Sequence, residues 1–255
     1  MNIFNYLKKK GLKRVCQVIW QYKVDLVIQR LFAVVFKKQN LQNIIIIESH
    51  NDFDSNGGAF YNYLIKNKYN DKYKIVWLIR NKKPDVLPLN VECYGIYKPS
   101  LKKNYYLSNA KYILTCQDAL GIIREGQRAY YLTHGAMALK NTKGNISVSN
   151  SITYILAPSE YLKPIQANLL SIPYPNDKQI ILGYPCHDVL YNLKSGDLGK
   201  VTEHTFKKVV LWMPTFRKSK IDNRNDSSIE YTMGIPIVND IGEYEKLNSI
   251  LNSLE

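Results

Sequence analysis

From residue 41 onward the chain alternates short runs of β-branched and aromatic residues with polar stretches of helical spacing. The first run, 44–47, is four consecutive isoleucines, followed at once by Glu48, Ser49, His50, Asn51 and Asp52. An unbroken apolar run of that length marks a strand covered on both faces, because a strand with one wet face would alternate. The same signature predicts strands at 74–79, 91–94, 112–115, 129–132, 154–157 and 179–182. Helices are expected between them at 59–65, opened by Gly57 and Gly58, at 100–108 and at 160–170. Such alternation specifies a parallel sheet covered by helices, in doubly wound α/β form.

The pattern defines a Rossmann-like domain over 41–195, and a polar stretch at 192–204 has the composition of a linker. Another buried strand at 209–213 and a helix at 243–254, with Leu247, Ile250, Leu251 and Leu254 on one face, predict the start of a second unit over 206–255. One strand and one helix bury too little to form a domain, so this second unit is expected to be incomplete.

Residues 1–40 are different in character. They carry nine Lys and Arg against the single acid Asp25, out of 35 basic and 21 acidic residues in the chain. Leu7, Val15, Ile19, Tyr22, Leu26 and Phe32 recur at roughly helical intervals, which predicts basic amphipathic helices. Two readings stay open: a helix lying on an anionic leaflet, or a cap packed on the next domain with its basic face in water. A nucleic-acid arm is disfavoured, since the aromatics do not interleave with the cations as stacking platforms. The longest apolar run, 31–36, is far below the ~20 residues needed to cross a bilayer. Cys16, Cys93, Cys116 and Cys186 lack the paired spacing of a zinc ribbon or a disulfide framework.

Ligands of open α/β sheets sit beyond the carboxyl ends of the strands, so the residues after each apolar run are the candidates. His50 and Asp52 follow the first strand, and Thr133, His134 and Gly135, with Lys140, follow the fifth. Gly183, Tyr184 and Pro185, with His187 and Asp188, follow the seventh; Pro214, Thr215, Phe216 and Arg217 follow the strand expected at 209–213. His134 could take a proton near neutral pH, or could simply satisfy a strand-end carbonyl. Arg217 could grip a phosphate with its planar fork, or form a surface ion pair. Asp52 and Asp54 could hold a divalent cation, or could cap their own loop. Free N–H groups at Gly57 and Gly58 could bind phosphate. No phosphate-loop, nucleophile-elbow or dinucleotide glycine motif occurs.

These segments together resemble the CDP-glycerol glycerophosphotransferases, which build teichoic acids and related glycerol-phosphate polymers. The resemblance runs from about Asn43 to the last residue. Glu48-Ser49-His50 with Asp52-Phe53 and Tyr61-Asn62-Tyr63-Leu64 is similar to the family's first strand, loop and helix. Thr133-His134-Gly135 with Lys140 resembles its histidine-glycine motif, and Ala157-Pro158-Ser159-Glu160-Tyr161 and Gly183-Tyr184-Pro185 with Asp188 resemble the next two. Met213-Pro214-Thr215-Phe216-Arg217 is similar to the opening of the nucleotide-binding half. Three departures stand out: Thr133 where tryptophan is usual, Ala136-Met137-Ala138 in place of a Thr-Pro segment, and Cys186-His187 in place of Arg-Asn.

The resemblance implies the two-domain glycosyltransferase type B fold, here with its second Rossmann-like domain incomplete. It implies a CDP-glycerol donor, a lipid-linked glycerol-phosphate or glycan acceptor and release of CMP, at the cytoplasmic face of a bacterial plasma membrane, with no required cofactor beyond a possible divalent cation. His134 would be the general base; Gly135, Lys140, Asp188, Thr215, Arg217, His50 and Asp52 would bind substrates. Relatives continue into a second histidine and an Asp-Tyr-Ser-Ser motif, so this chain is expected to correspond to the amino-terminal two-thirds and to be weakly active by itself. The alternatives are a noncatalytic acceptor-binding module at a membrane surface, a ribitol-phosphate transferase, and a metal-dependent sugar transferase using Asp52 and Asp54.

Overall fold

The structure is a computed structural model that describes residues 12, 13, 16, 24–81, 83–117, 120–133, 148–191, 199, 202, 203 and 238–253. The chain divides into two units, Met1–Leu193 and Lys194–Glu255.

In the first unit, seven strands form one sheet: β1 (Gln42–Glu48), β2 (Lys74–Ile79), β3 (Val91–Gly95), β4 (Ala110–Thr115), β5 (Arg128–Tyr131), β6 (Tyr154–Ala157) and β7 (Gln179–Ile181). Their order across the sheet is β3-β2-β1-β4-β5-β6-β7, with every neighbouring pair parallel. The seven strands predicted over 41–195 are all present, within two residues at each end.

The isoleucine run shows why. Ile44 and Ile46 lie in one apolar cluster with Val76, Leu78, Ile113, Tyr106 and Leu107, while Ile45 and Ile47 lie in another with Ile75, Trp77, Leu114, Tyr61 and Leu64. Successive side chains point to opposite faces, so β1 needs apolar residues at every position to fill both layers. Each buried isoleucine contributes about 1.5–3 kcal/mol relative to an exposed one. Helix α2 (Ser55–Lys66) supplies Tyr61 and Leu64 to one face, and α3 (Leu101–Asn109) supplies Tyr106 and Leu107 to the other.

Helix α2 starts two residues before the glycines, not after them. Helix α4 (Lys163–Leu169) starts later than expected, after a turn in which Ser159 Oγ accepts from the Leu162 amide. Ser100 caps α3 by accepting from the Lys103 amide.

The described part of the basic leader ends in helix α1 (Asp25–Val35), which packs on α3 through polar groups. The lone acid, Asp25, is 2% exposed and meets the equally buried Lys103 at 2.7 Å. Asn104 donates to Asp25 at 2.7 Å, Gln29 donates to Asn104 at 3.0 Å, and Ser108 donates to the Gln29 carbonyl at 3.1 Å. Phe32 and Phe36 close the contact edge-on against Tyr105. The expected apolar face is thus rotated: Leu26 is exposed, and Val27, Leu31, Val34 and Val35 form an outward stripe. Leu7, Val15, Ile19 and Tyr22 lie outside the described residues.

At the outer strand β3, one carboxylate gathers four partners. Glu92 accepts from Lys74 at 2.8 Å, from the Tyr94 and Tyr106 hydroxyls, and pairs with Lys102 at 3.0 Å. Partial burial pushes its pKa up, but the hydrogen bonds from Lys74, Tyr94 and Lys102 outweigh this and hold it at about 2. An unfolded Glu titrates near about 4.3, so the native state binds this proton more weakly than the unfolded chain. Its stabilisation is therefore complete above about pH 5 and disappears as pH falls towards 2. In urea unfolding, the stability difference between the wild type and Glu92→Gln is expected to shrink steadily across that interval; a constant difference would remove the cluster from the acid response.

In the second unit the described element is α6 (Ile241–Asn252); α5 is the single turn Asp188–Tyr191 in the first. Asp240 accepts from the Glu243 amide at 2.8 Å while Glu243 accepts from the Asn239 amide at 2.7 Å. The Asp240 cap, braced by Glu243 reaching back to the residue before it, explains a start at 241 rather than 243. Ile250 and Leu251 are exposed on it and Leu247 is half-buried. Leu254, the strand expected at 209–213 and most of the expected linker lie outside the described residues.

Candidate active site

The strand order reverses at β1, which has β2 on one side and β4 on the other, and the chain loops away from the sheet there at its carboxyl edge. This is where doubly wound sheets bind ligands.

An ion pair anchors this edge. Glu48, the last residue of β1, is fully buried; it pairs with Arg80 at 2.6 Å and accepts the amides of Cys116 and Gln117 at 3.1 and 3.0 Å. Arg80 also donates to the Ser49 carbonyl. One carboxylate thereby ties together the ends of β1, β2 and β4.

Above it, the loop after β1 is strained. Asp52, Phe53 and Ser55 all have positive φ, at 65°, 53° and 53°. Non-glycine residues in this region are uncommon and gather at functional loops. Asp52 holds the loop by accepting the Arg80 amide at 2.9 and 3.1 Å and the Asn81 amide at 2.8 Å. Asp54 accepts the Asn51 amide at 3.2 Å. Both carboxylates thus act as caps on nearby backbone, and among the described residues no cluster of three metal-ligating side chains exists. His50 projects from the same loop into solvent.

The glycines of α2 are required for close packing. A β-carbon on Gly57 would meet the Glu48 carbonyl at 3.2 Å and Cys116 Sγ at 3.3 Å, and one on Gly58 would overlap the Phe53 carbonyl at 2.2 Å. Their N–H groups have partners, Cys116 Sγ for Gly57 and the Asp54 carbonyl for Gly58. This replaces the expectation that they hold a phosphate. Burial raises the Cys116 thiol to about 12, so it serves as a neutral acceptor and not as a nucleophile.

Thr133 ends the described part of the second candidate loop. It is fully buried with φ 56°, an outlying conformation for a β-branched residue. The turn after β7 comes next to it: Tyr184 is buried, with its hydroxyl pKa raised by that burial, and its ring meets His187 edge-on at 5.3 Å. Asp188 opens α5 and is exposed. One residue absent from the sequence-based candidates joins these pieces. Asn56, 1% exposed, donates to the Leu132 and Thr133 carbonyls at 3.0 and 3.1 Å and accepts the Cys186 amide at 3.2 Å. In sequence it falls in the polar stretch ahead of the expected helix, and its partners lie too far along the chain for spacing to show them. His134, Gly135, Lys140, Thr215 and Arg217 lie outside the described residues.

The profile of the family described as CDP-Glycerol:Poly(glycerophosphate) glycerophosphotransferase matches residues 28–236. The chain belongs to this family. A curated relative, the teichoic acid poly(glycerol phosphate) polymerase of Bacillus spizizenii (strain ATCC 23059 / NRRL B-14472 / W23), is 25% identical over 231 residues, covering 79% of this chain and 57% of its own length. Among solved structures, the wall teichoic acid polymerase TagF superposes with a TM-score of 0.53 at 18% identity, over 86% of this chain and 55% of that one. A TagF variant soaked with CDPG gives 0.54 at 18% identity, over 84% and 56%. The chain of this glycerophosphotransferase family member therefore spans a little over half the length of the relatives it matches. At that level of identity the superpositions establish a shared fold.

Proposed function

We propose that this chain contributes the acceptor-side lobe of a glycerophosphotransferase that moves glycerol phosphate from CDP-glycerol to the terminal hydroxyl of a lipid-linked glycerol-phosphate or glycan acceptor. In this reaction the acceptor oxygen bonds to the β-phosphorus, the bridging P–O bond to CMP breaks, and the hydroxyl proton passes to His134. Arg217 and Thr215, on a second Rossmann-like lobe, steady the charge on the donor phosphates, and Gly135 and Lys140 line the acceptor side. His50 and Asp188 border the same edge, while Asp52 shapes the loop between them. The single observation carrying this reading is the family match spanning the histidine-glycine motif, whose preceding residue, Thr133, sits strained at the carboxyl edge of β5.

The outward stripe of Val27, Leu31, Val34 and Val35, beside Arg30, Lys37 and Lys38, supports a peripheral position on an anionic cytoplasmic leaflet. The same stripe favours a second reading, a noncatalytic module that holds the acceptor at a membrane. CMP release from CDP-glycerol in the presence of a lipid-linked glycerol-phosphate primer separates the two. Turnover by this chain alone is expected to be weak, and His134→Ala is expected to lower it about 100-fold or more, the scale of a lost general base. Unchanged turnover would take His134 out of the chemistry, and none in the wild type would leave the noncatalytic reading.

A further inference from the structure

Asn56 occupies the second position of α2, yet its amide faces the sheet instead of the helix's own backbone. Its two donors go to consecutive carbonyls, Leu132 and Thr133, 76 and 77 residues away, and its oxygen takes an amide 130 residues away. Three of the amide's four hydrogen-bonding positions are thereby used, on three chain segments, inside a fully buried setting. The position of those carbonyls matters more than their number. The Thr133 carbonyl and the His134 nitrogen belong to one planar peptide unit, so a hydrogen bond that fixes the carbonyl also fixes the plane from which residue 134 departs. Thr133 itself is held in a left-handed conformation that a β-branched residue leaves unless its surroundings impose it. Bonds to the carbonyls on both sides of its α-carbon impose it.

We infer that Asn56 is a positioning residue: it holds the strained Thr133 peptide, the unit to which the nitrogen of the proposed base His134 belongs, and locks the Gly183–Asp188 turn to the same anchor. This rests on the reading of His134 as the base. Asn56 touches neither donor nor acceptor in this account; it acts through the peptide it grips. It is also the point at which the loops after β1, β5 and β7 share a partner.

The test uses the full chain with Asn56→Ala and the isosteric Asn56→Asp. The aspartate keeps the acceptor for the Cys186 amide but sets a carboxylate oxygen against the two carbonyls. Each variant is assayed for CMP release from CDP-glycerol with a glycerol-phosphate primer, well below its unfolding midpoint. A fall in kcat of about 10- to 100-fold with KM for CDP-glycerol nearly constant is expected, the size of effect that a misplacement of about 1 Å produces. A merely structural asparagine would lower the midpoint and leave kcat of the folded protein unchanged, which would overturn the inference.

A second measurement needs no turnover. The chain has four histidines, so its labelled imidazole signals can be assigned by comparison with His134→Gln. The His134 signal is expected to shift in Asn56→Asp while that of His50 stays in place, and an unmoved His134 signal would refute the positioning role. A wild type that releases no CMP but shows the shift would defeat the transfer reading and retain the positioning.

Discussion

Glu48→Ala is expected to lower the stability of the sheet by about 3–5 kcal/mol, the usual result of removing one member of a buried ion pair. The Arg80 guanidinium keeps the Ser49 carbonyl but loses its counter-charge, the Cys116 amide keeps only the Glu48 backbone carbonyl among these acceptors, and the Gln117 amide loses the carboxylate it donates to. Water replaces the carboxylate poorly at this point, because Glu48 ends an interior strand and is fully covered, as is Cys116. Glu48→Gln should cost less, since an amide oxygen still accepts from a backbone N–H, though not with the strength of a charged acceptor. Denaturant unfolding of the three proteins checks the ranking. An alanine variant within about 1 kcal/mol of wild type would show that the pair is no better than a surface one.

The second large effect belongs to the clasp between α1 and α3. Lys103 has its ammonium enclosed by Asp25 at 2.7 Å and the carbonyls of Ile96 and Lys98 at 3.0 and 2.9 Å. Lys103→Met leaves the Asp25 carboxylate buried with Asn104 as its remaining side-chain donor among the described residues, and should also cost about 3–5 kcal/mol. Replacing both, as Asp25→Leu with Lys103→Met, should recover much of that loss, because the desolvation of two charges disappears with them. A double variant as unstable as the single one would mean that the two carbonyls, not the carboxylate, make the lysine necessary. Thermal unfolding of the two variants, with tryptic cleavage in the 24–40 segment as a local reading, distinguishes these outcomes.

The sheet was legible because parallel strands covered on both faces leave unbroken apolar runs, of which 44–47 is the clearest. The same logic failed for α1. A periodicity search assumes that the buried face is the oily one, whereas this helix turns Asp25 and Gln29 inward and leaves Val27 and Leu31 outside. Gly57 and Gly58 were ambiguous for a related reason. A glycine allows close approach, but the sequence does not say of what, and here it is the end of β1 and the Phe53 carbonyl rather than a ligand. Asp52 carries the same lesson, since capping a neighbouring strand end and binding a substrate require the same carboxylate. Asn56 was hidden altogether, because its meaning comes from carbonyls that only the folded chain brings near.

The strand order also governs how the molecule must come into being. β1 leaves the ribosome first yet belongs in the middle, and its isoleucines have no neighbour on the β4 side until synthesis has reached Thr115. The emerging polypeptide therefore carries a four-isoleucine segment that can be flanked on one edge only, by β2, while residues 80–115 are added. Growth then proceeds outward to β7, so an interrupted product ending before β4 would present that sticky edge to other nascent chains, whereas one ending after it would already have its hydrophobic centre enclosed.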